Sequence, residues 1–273
     1  MLISLMNVQE LFEEVAGYQP IAPATRKGWT YGIRGIEDID IETIDKSFVN
    51  RRRSYLNRQG YKPGYVRSLL GYCGTIWQIA MEQMELVDSN PWRGSLKGLK
   101  KQKKNYPFLP YEHYVNCGLG NDPMFNALWL HGFRVNEIVG ISPEEIVRDA
   151  DIPHFDLKHN RVRGLKNEKS IRQVPMHPLF LERGHYDQFM KDYSLYGYWK
   201  RNPKHGDNYS RHLKKICGHS AHGLRHNIVT RMRKAGIEYS IAASILGHDA
   251  EGMTSNYGEI QLDDKYEQLQ KLR

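Results

Sequence analysis

The sequence predicts a mainly α-helical protein with a small β-sheet, an α+β chain built in two parts. Three observations carry this expectation. Apolar residues recur at spacings of three and four over much of the chain, the period of a helix with one buried face. One stretch, residues 153–176, alternates and turns instead, as short strands do. Between the two patterned regions lies WRGSLKGLKKQKKN, residues 92–105, with six basic and no acidic side chains. Its glycines and its charge mark a boundary. The expected organisation is a helical part over 1–100, a basic linker at 101–104, and a mixed part over 105–273.

Bulk properties set the frame. A chain of 273 residues with 40% hydrophobic and 26% charged side chains has the composition of a globular protein. The net charge of +8 favours a polyanionic partner, although charge alone does not identify one. Cys73, Cys117 and Cys217 are widely spaced and odd in number, the usage of a reduced, cytosolic protein with buried thiols. The N-terminus is apolar for six residues, lacks a basic n-region and soon meets Glu10, Glu13 and Glu14, so it does not read as a secretory signal. No apolar run approaches the length of a membrane span.

The elements follow in order. Residues 1–45 hold eight acidic and three basic side chains, and no element is assigned before residue 41. Ile41 to Gln59 reads as a helix with Ile44, Phe48, Tyr55 and Leu56 near one face, stopped by Gly60. Pro63 to Met84 is a second helix, with Val66, Leu69, Leu70, Cys73, Ile76, Trp77, Ala80, Met81 and Met84 on one stripe. Arg51, Arg52, Arg53, Arg58, Lys62 and Arg67 cluster around the turn between them. Either they are a solvated basic turn or they touch phosphates, and the same choice applies to Lys97, Lys100, Lys101, Lys103 and Lys104 in the linker. Pro123 to Val139 reads as one helix with a wide apolar face. Residues 153–176 read as two or three short strands with turns at His159-Asn160 and Asn167-Glu168, and helices follow from about 178 to the end.

The chemistry concentrates between His222 and Tyr257. Two imidazoles (His222, His248), a guanidinium (Arg225) and a phenol (Tyr257) occur in fixed order within 36 residues, and Arg134 lies upstream in GFRVNEI. A phosphodiester under attack gathers negative charge on its non-bridging oxygens, and two guanidiniums offer planar, permanently charged donors to it. A tyrosine nucleophile then needs no metal and stores the bond energy in a covalent ester. Arg225 sits on a helix stopped by Gly236, and Ile241 to Leu246 form a second short helix ended by Gly247, with His248 just beyond. Thr254 can cap a turn that carries Tyr257. The departing 5′ oxygen needs a proton, for which Lys166 is the candidate and Lys169 the competitor. A rival constellation, Cys217, His219, His222 and His226, suggests zinc, but its CxHxxH spacing is unusual and no second Cys/His pair lies at finger spacing. No metal and no cofactor are expected.

These boxes resemble those of the tyrosine recombinases of the phage-integrase family. GFRVNEI resembles the first arginine box, HGLRH the second, and LGH followed by a tyrosine nine residues after the histidine the third. The resemblance implies that Arg134 and Arg225 hold the scissile phosphate and that Tyr257 attacks it to give a 3′-phosphotyrosine. Lys166 would be the general acid, His222 would assist proton transfer, and His248 would hydrogen-bond the phosphate. It further implies a helical core-binding (SAM-like) domain closing at Asn90–Trp92, a catalytic domain over 105–273, and a clamp of the two around duplex DNA. The partners would be double-stranded recombination sites and further copies of the chain, as a tetramer on DNA. The amphipathic tail with Ile260, Leu262, Tyr266 and Leu269 would either pack on its own chain or dock on a neighbour. The place of action would be the cytoplasm of a bacterial host, on its nucleoid. An extra N-terminal arm-binding domain is not expected.

The implied function is phage or mobile-element integration and excision. A Xer-like resolvase and a type IB topoisomerase-like enzyme share the chemistry, but the LGH box and the separate helical part argue against the topoisomerase. A DNA-binding protein that has lost catalysis is opposed by the intact six-residue set.

Overall fold

The computed structural model describes residues 6–100, 106–161, 163–198, 205–248 and 260–272, the side chains of 169, 193–198 and 205 excepted. The chain divides into two compact units, Met1–Lys104 and Asn105–Arg273.

The first unit holds helices α1 (Val8–Tyr18), α2 (Pro23–Ile33), α3 (Lys46–Arg58) and α4 (Pro63–Glu82). The first two occupy the acidic segment in which the sequence indicated no element. Helix α1 starts with a capping box between Asn7 and Glu10, which satisfies two otherwise unpaired N–H groups. Helix α2 lies close against α4 because it presents glycines: a Cβ at Gly32 would stand 2.8 Å from Tyr72 Cβ. The stripe expected on α4 is buried from Val66 to Ala80.

The helix expected over Ile41–Gln59 is divided. A 3-10 turn covers Ile41–Thr43, and α3 begins only after Asp45, whose carboxylate accepts from the Phe48 N–H at 2.6 Å. The cap at Asp45 is the stronger start signal, and it rotates the buried face onto Val49 and Leu56, leaving Tyr55 exposed. Asn90 and Trp92 pack within the unit, whose core extends past them to Leu99. Asn90 Nδ2 donates to Gly74 O at 2.9 Å, and Trp92 packs on Trp77 with ring centroids 5.6 Å apart.

The second unit contains α5 (Tyr111–Asn116), α6 (Pro123–His131), α7 (Val135–Val139), β1 (Ile146–Val147), β2 (His154–Leu157) and β3 (Arg172–Pro175). Then follow α8 (Pro178–Glu182), α9 (His185–Tyr198), α10 (His205–Cys217), α11 (Ala221–Lys234), α12 (Tyr239–Leu246) and α13 (Leu262–Leu269). The strands form one antiparallel sheet in the order β1-β2-β3, with Phe155 opposite Val174. Phe155, Phe133, Phe180 and His131 interlock beneath it at ring separations of 5.1–6.3 Å. Helix α6 is buried on every side. Between β2 and β3 the chain is irregular except for a 3-10 turn at Glu168–Ser170, so two strands, not three, flank that loop among the described residues. Helix α13 packs on β3 and α12 of its own chain, where Leu269 is buried. No helix among the described residues is long and apolar enough to cross a membrane.

The single helix expected over Pro123–Val139 is broken. Gly132 takes φ 68°, ends α6 as a left-handed cap, and leaves Arg134 at the N-cap of α7. The glycine serves a second purpose. A Cβ there would lie 2.5 Å from Leu246 Cδ2 and 2.8 Å from Ile228 Cγ2, so α11 and α12 close over bare backbone. Gly132→Ala combines a left-handed penalty with overpacking and should destabilise the chain by roughly 2–4 kcal/mol. Denaturant unfolding of the variant measures this, and a midpoint equal to that of the parent would contradict the role.

Candidate active site

The break at Gly132 brings Arg134 to the end of α12. Three consecutive carbonyls at that end each accept from a different arginine. Arg172 Nε donates to Ile245 O at 2.7 Å, Arg225 Nη2 donates to Leu246 O, and Arg134 Nη2 donates to Gly247 O at 3.0 Å. Arg225 Nη1 also donates to Gly132 O. Gly247 can expose these groups because it takes φ 62° as the cap of α12. The negative end of a helix dipole thus faces three guanidiniums.

One carboxylate is bonded to this cluster among the described residues. Glu137 accepts from Arg134 Nη1 at 2.6 Å, from Arg172 Nη2 at 3.0 Å and from Arg172 Nη1 at 3.2 Å. It also accepts from the Arg134 backbone N–H at 2.8 Å. Burial would raise its carboxyl, but Arg172, through charge and hydrogen bonds, and then Arg134 hold it down at about 2. Burial followed by the charge of Arg134 pushes the Arg225 guanidinium down to about 9, still protonated at neutral pH. Three guanidiniums against one carboxylate leave a positive site shaped for an anion.

His248 lies at the mouth of this cluster, its ring reaching solvent and its backbone N–H donating to Ala243 O at 3.0 Å. Desolvation of its inner side, then the charges of Arg225, Arg134 and Arg172, push it down to about 4, so it is neutral at pH 7. A cleft of about 570 Å³ beside it is lined by residues that include Arg172, Gln173, Ser244 and Lys265.

The lysine loop is tied to the same cluster. Arg134 Nη1 donates to Ser170 Oγ at 3.1 Å, and Ser170 Oγ donates to Asn167 Oδ1 at 2.6 Å. Lys166, exposed, precedes Asn167 directly. The base of the loop is held by Arg163, whose Nη2 meets the fully buried Glu145 carboxylate at 2.5 Å and whose Nε donates to Glu137 O at 3.0 Å. Lys169 lies in the 3-10 turn, its side chain outside the described ones.

Other expected residues fall as follows. His222 is exposed on α11, one turn before Arg225, with Tyr106 edge-on to its ring and His226 Nε2 at 3.2 Å from its own Nε2. Tyr257, and Thr254 as its cap, lie outside the described residues, as do Lys101, Lys103 and Lys104. Arg51, Arg58, Lys62, Lys97 and Lys100 are exposed. The other three arginines of the basic turn bond backbone carbonyls: Arg53 those of Ser95 and Lys97, Arg67 those of Leu96 and Leu99, and Arg52 that of Arg34. The zinc constellation does not assemble. Cys217 donates to Leu213 O, and His219 pairs with the Tyr114 hydroxyl at 2.8 Å, both buried away from His222 and His226. Among the described residues no three His, Cys, Asp or Glu side chains converge.

The sequence reading missed Arg172 and gave Glu137 no role. The signal for Arg172 was weak but present: it shares a strand face with Val174 and therefore points inward.

No curated protein sequence matches the chain. Its fold is similar to that of the integrase of transposon Tn1549 in complex with transposon right end DNA, at 15% identity and a TM-score of 0.67, covering 95% of this chain and 97% of that one. It is also similar to a lambda integrase (75–356) dimer bound to a COC' core site, at 14% identity and a TM-score of 0.61, covering 94% and 100%. At such identities the likeness speaks for the fold. The phage integrase family model matches residues 118–263, more than half of the chain and the span that holds the arginine cluster.

Two outcomes are expected from this geometry. The Glu137 carboxyl, near 2 when folded against 4.5 when free, stabilises the fold fully above pH 4.5 and loses that contribution as pH falls toward 2. Glu137→Gln should therefore cost about 3 kcal/mol at pH 7 and flatten acid unfolding across that window, as followed by circular dichroism. The His248 ring should stay neutral down to about pH 4 in the free chain and titrate higher once an oxyanion such as vanadate offsets its cationic neighbours; imidazole NMR reads both states.

The arginine cluster, the fold over nearly the whole length and the matched span agree, and the chain belongs to the phage integrase family.

Proposed function

We propose that this tyrosine site-specific recombinase uses the arginine cluster at the end of α12 as the seat of the scissile phosphate. The observation that carries the reading is the excess of positive charge there, three guanidiniums oriented by three carbonyls with a single carboxylate, Glu137, among the described residues. Arg134 and Arg225 face the non-bridging oxygens, and fixed donors of this kind are each worth about 3–4 kcal/mol in a transition state. Neutral His248 donates one ring N–H to the same phosphate.

In the reaction the Tyr257 oxygen forms a bond to phosphorus while the bond to the 5′ oxygen breaks. The phenolic proton leaves with the help of His222, and Lys166 gives a proton to the departing 5′ oxygen. The 3′-phosphotyrosine keeps the ester energy, and a 5′ hydroxyl from a second strand reverses the step. Asn105–Arg273 is the catalytic domain on this reading, and the helical unit before it is the core-binding domain that clamps duplex DNA. The exposed Arg51, Arg58, Lys62, Lys97 and Lys100, with linker lysines 101, 103 and 104, contact phosphates. Arg52, Arg53 and Arg67 act chiefly by fixing their own unit. Lambda integrase forms a tetramer on a Holliday junction, and by analogy this chain assembles on paired sites, with release of α13 to a neighbour as the linking contact. Integration and excision of a mobile element inside a bacterial host is the favoured setting.

Covalent trapping on nicked suicide substrates, built from DNA flanking the gene, tests the assignment. The parent should give a protein–DNA adduct, Tyr257→Phe none, and Arg225→Ala at least a hundredfold less. Replacing the 5′-bridging oxygen by sulfur gives a leaving group that needs no proton. It should rescue Lys166→Ala but not Arg225→Ala, and rescue of Lys169→Ala instead would move the acid to that residue. An adduct in Tyr257→Phe would overturn the nucleophile.

A further inference from the structure

The zinc constellation fails as a four-residue site, yet two of its members converge. His222 and His226 stand four apart on α11, both exposed, with Nε2 atoms 3.2 Å from each other. Two nitrogens on one tetrahedral zinc, at Zn–N distances of about 2.0–2.1 Å, lie about 3.3 Å apart. The spacing between the rings is already that of a chelate.

The rings are also held. Tyr106 stacks on His226 with centroids 4.7 Å apart and an interplanar angle of 14°, and meets His222 edge-on at 5.6 Å. Helix α11 is fixed beneath them by the buried Leu224, Arg225 and Ile228 and by the Ser220 cap. A preformed pair loses little side-chain freedom on binding. The donor set is two imidazoles, which suit zinc, nickel, cobalt and copper and do not suit magnesium or calcium. In the metal-free chain one ring donates N–H to the bare nitrogen of the other. For a metal ion to sit between them the donating ring shifts its proton from Nε2 to Nδ1, so that both Nε2 atoms are bare, both rings stay neutral and the separation is kept.

We propose that His222 and His226 form a chelating site for a divalent transition-metal ion of the zinc class, and that filling it stops recombination. The regulatory half rests on the role proposed for His222: a nitrogen bound to metal cannot carry a proton. The site is inhibitory, separate from any metal requirement of the reaction, and it couples activity to free transition metal.

Zinc titration of the full-length chain by calorimetry tests the binding half without any activity. His222→Gln and His226→Gln should each weaken zinc at least tenfold, since each removes one arm of the chelate, while His212→Gln, exposed on α10, should bind as the parent does. The cysteines offer competing ligands, so Co²⁺ spectra are read alongside. Ligand-field bands without thiolate charge transfer support the pair, and a thiolate band that persists in His226→Gln assigns the metal to cysteine and overturns the proposal. Imidazole NMR of the parent supplies a readout that needs no variant: zinc should shift two Nε2 resonances and leave the other histidines in place. For regulation, zinc should suppress covalent-adduct formation, EDTA should restore it, and His226→Gln should need at least tenfold more zinc relative to its own uninhibited level. Binding at the pair with undiminished adduct formation would overturn the regulatory half. A parent that forms no adduct on any site would count against the proposed reaction and leave the binding result standing.

Discussion

The second unit depends on one contact pattern: three successive carbonyls at the end of α12 accept from three arginines brought there by different elements. Arg172 comes from β3, Arg225 from α11 and Arg134 from the start of α7. The pattern joins the sheet, the α11–α12 pair and the α6–α7 break at one point. It needs Gly132 on one side, where any side chain would strike Leu246 and Ile228, and Gly247 on the other, where a left-handed residue turns the helix end outward. Fold and site are therefore not separable here. The bonds that orient the guanidiniums also fix the elements that carry them.

Glu137 is the counterweight. With Arg172 buried and Arg134 half-buried beside it, the cluster without a carboxylate would set two desolvated cations side by side. Glu137 accepts from both and also closes the first turn of α7 through the Arg134 N–H. Arg163 continues the network outward. Its Nε reaches Glu137 O, its guanidinium meets Glu145, and its aliphatic stem lies over Gly140, where a Cβ would stand 2.9 Å from Arg163 Cδ. That chain of contacts ties the loop bearing Lys166 to the arginine that begins the network.

Much of this was legible in the sequence because local chemistry and spacing set it. The stripe on α4 and the glycine ends of α11 and α12 follow from period and cap, and the ordered boxes from Arg134 to His248 were legible through their resemblance to the family's. What was not legible depended on tertiary choice. Asp45 and Gly132 each cut a helix that periodicity alone would have run through, because a cap and a close approach outweigh propensity. The carbonyl bonds of Arg53 and Arg67 were not legible, because a guanidinium on a basic turn looks the same in sequence whether it is solvated, faces phosphates or bonds the carbonyls of residues 95–99. Arg172 was hidden in a strand too short to show its alternation. Helix α1 does carry a legible stripe, Val8, Leu11, Phe12, Val15 and Ala16, behind its Asn7–Glu10 capping box, whereas the buried face of α2 is half glycine, Gly28 and Gly32 beside Trp29 and Ile33, and has no periodic apolar signal.

The preference for carbonyls over carboxylates in this cluster has a chemical reason. A carboxylate paired to each arginine would orient it equally well, but it would also cancel the charge and compete with a phosphodiester for the same N–H groups. A helix C-terminus supplies roughly half an elementary charge spread over several oxygens, enough to aim a guanidinium and too little to neutralise it. Arg225, bonded to Gly132 O and Leu246 O, meets no carboxylate among the described residues and keeps its charge, whereas Arg172 is doubly bonded to Glu137. Arg134 stands between them, with one nitrogen on Glu137 and the other on Gly247 O. The two arginines with charge left over are those that the sequence boxes single out, and the one the boxes omit is the one whose charge is satisfied. The three arginines are thus graded by how far the carboxylate takes them: two nitrogens of Arg172, one of Arg134 and none of Arg225 among the described residues.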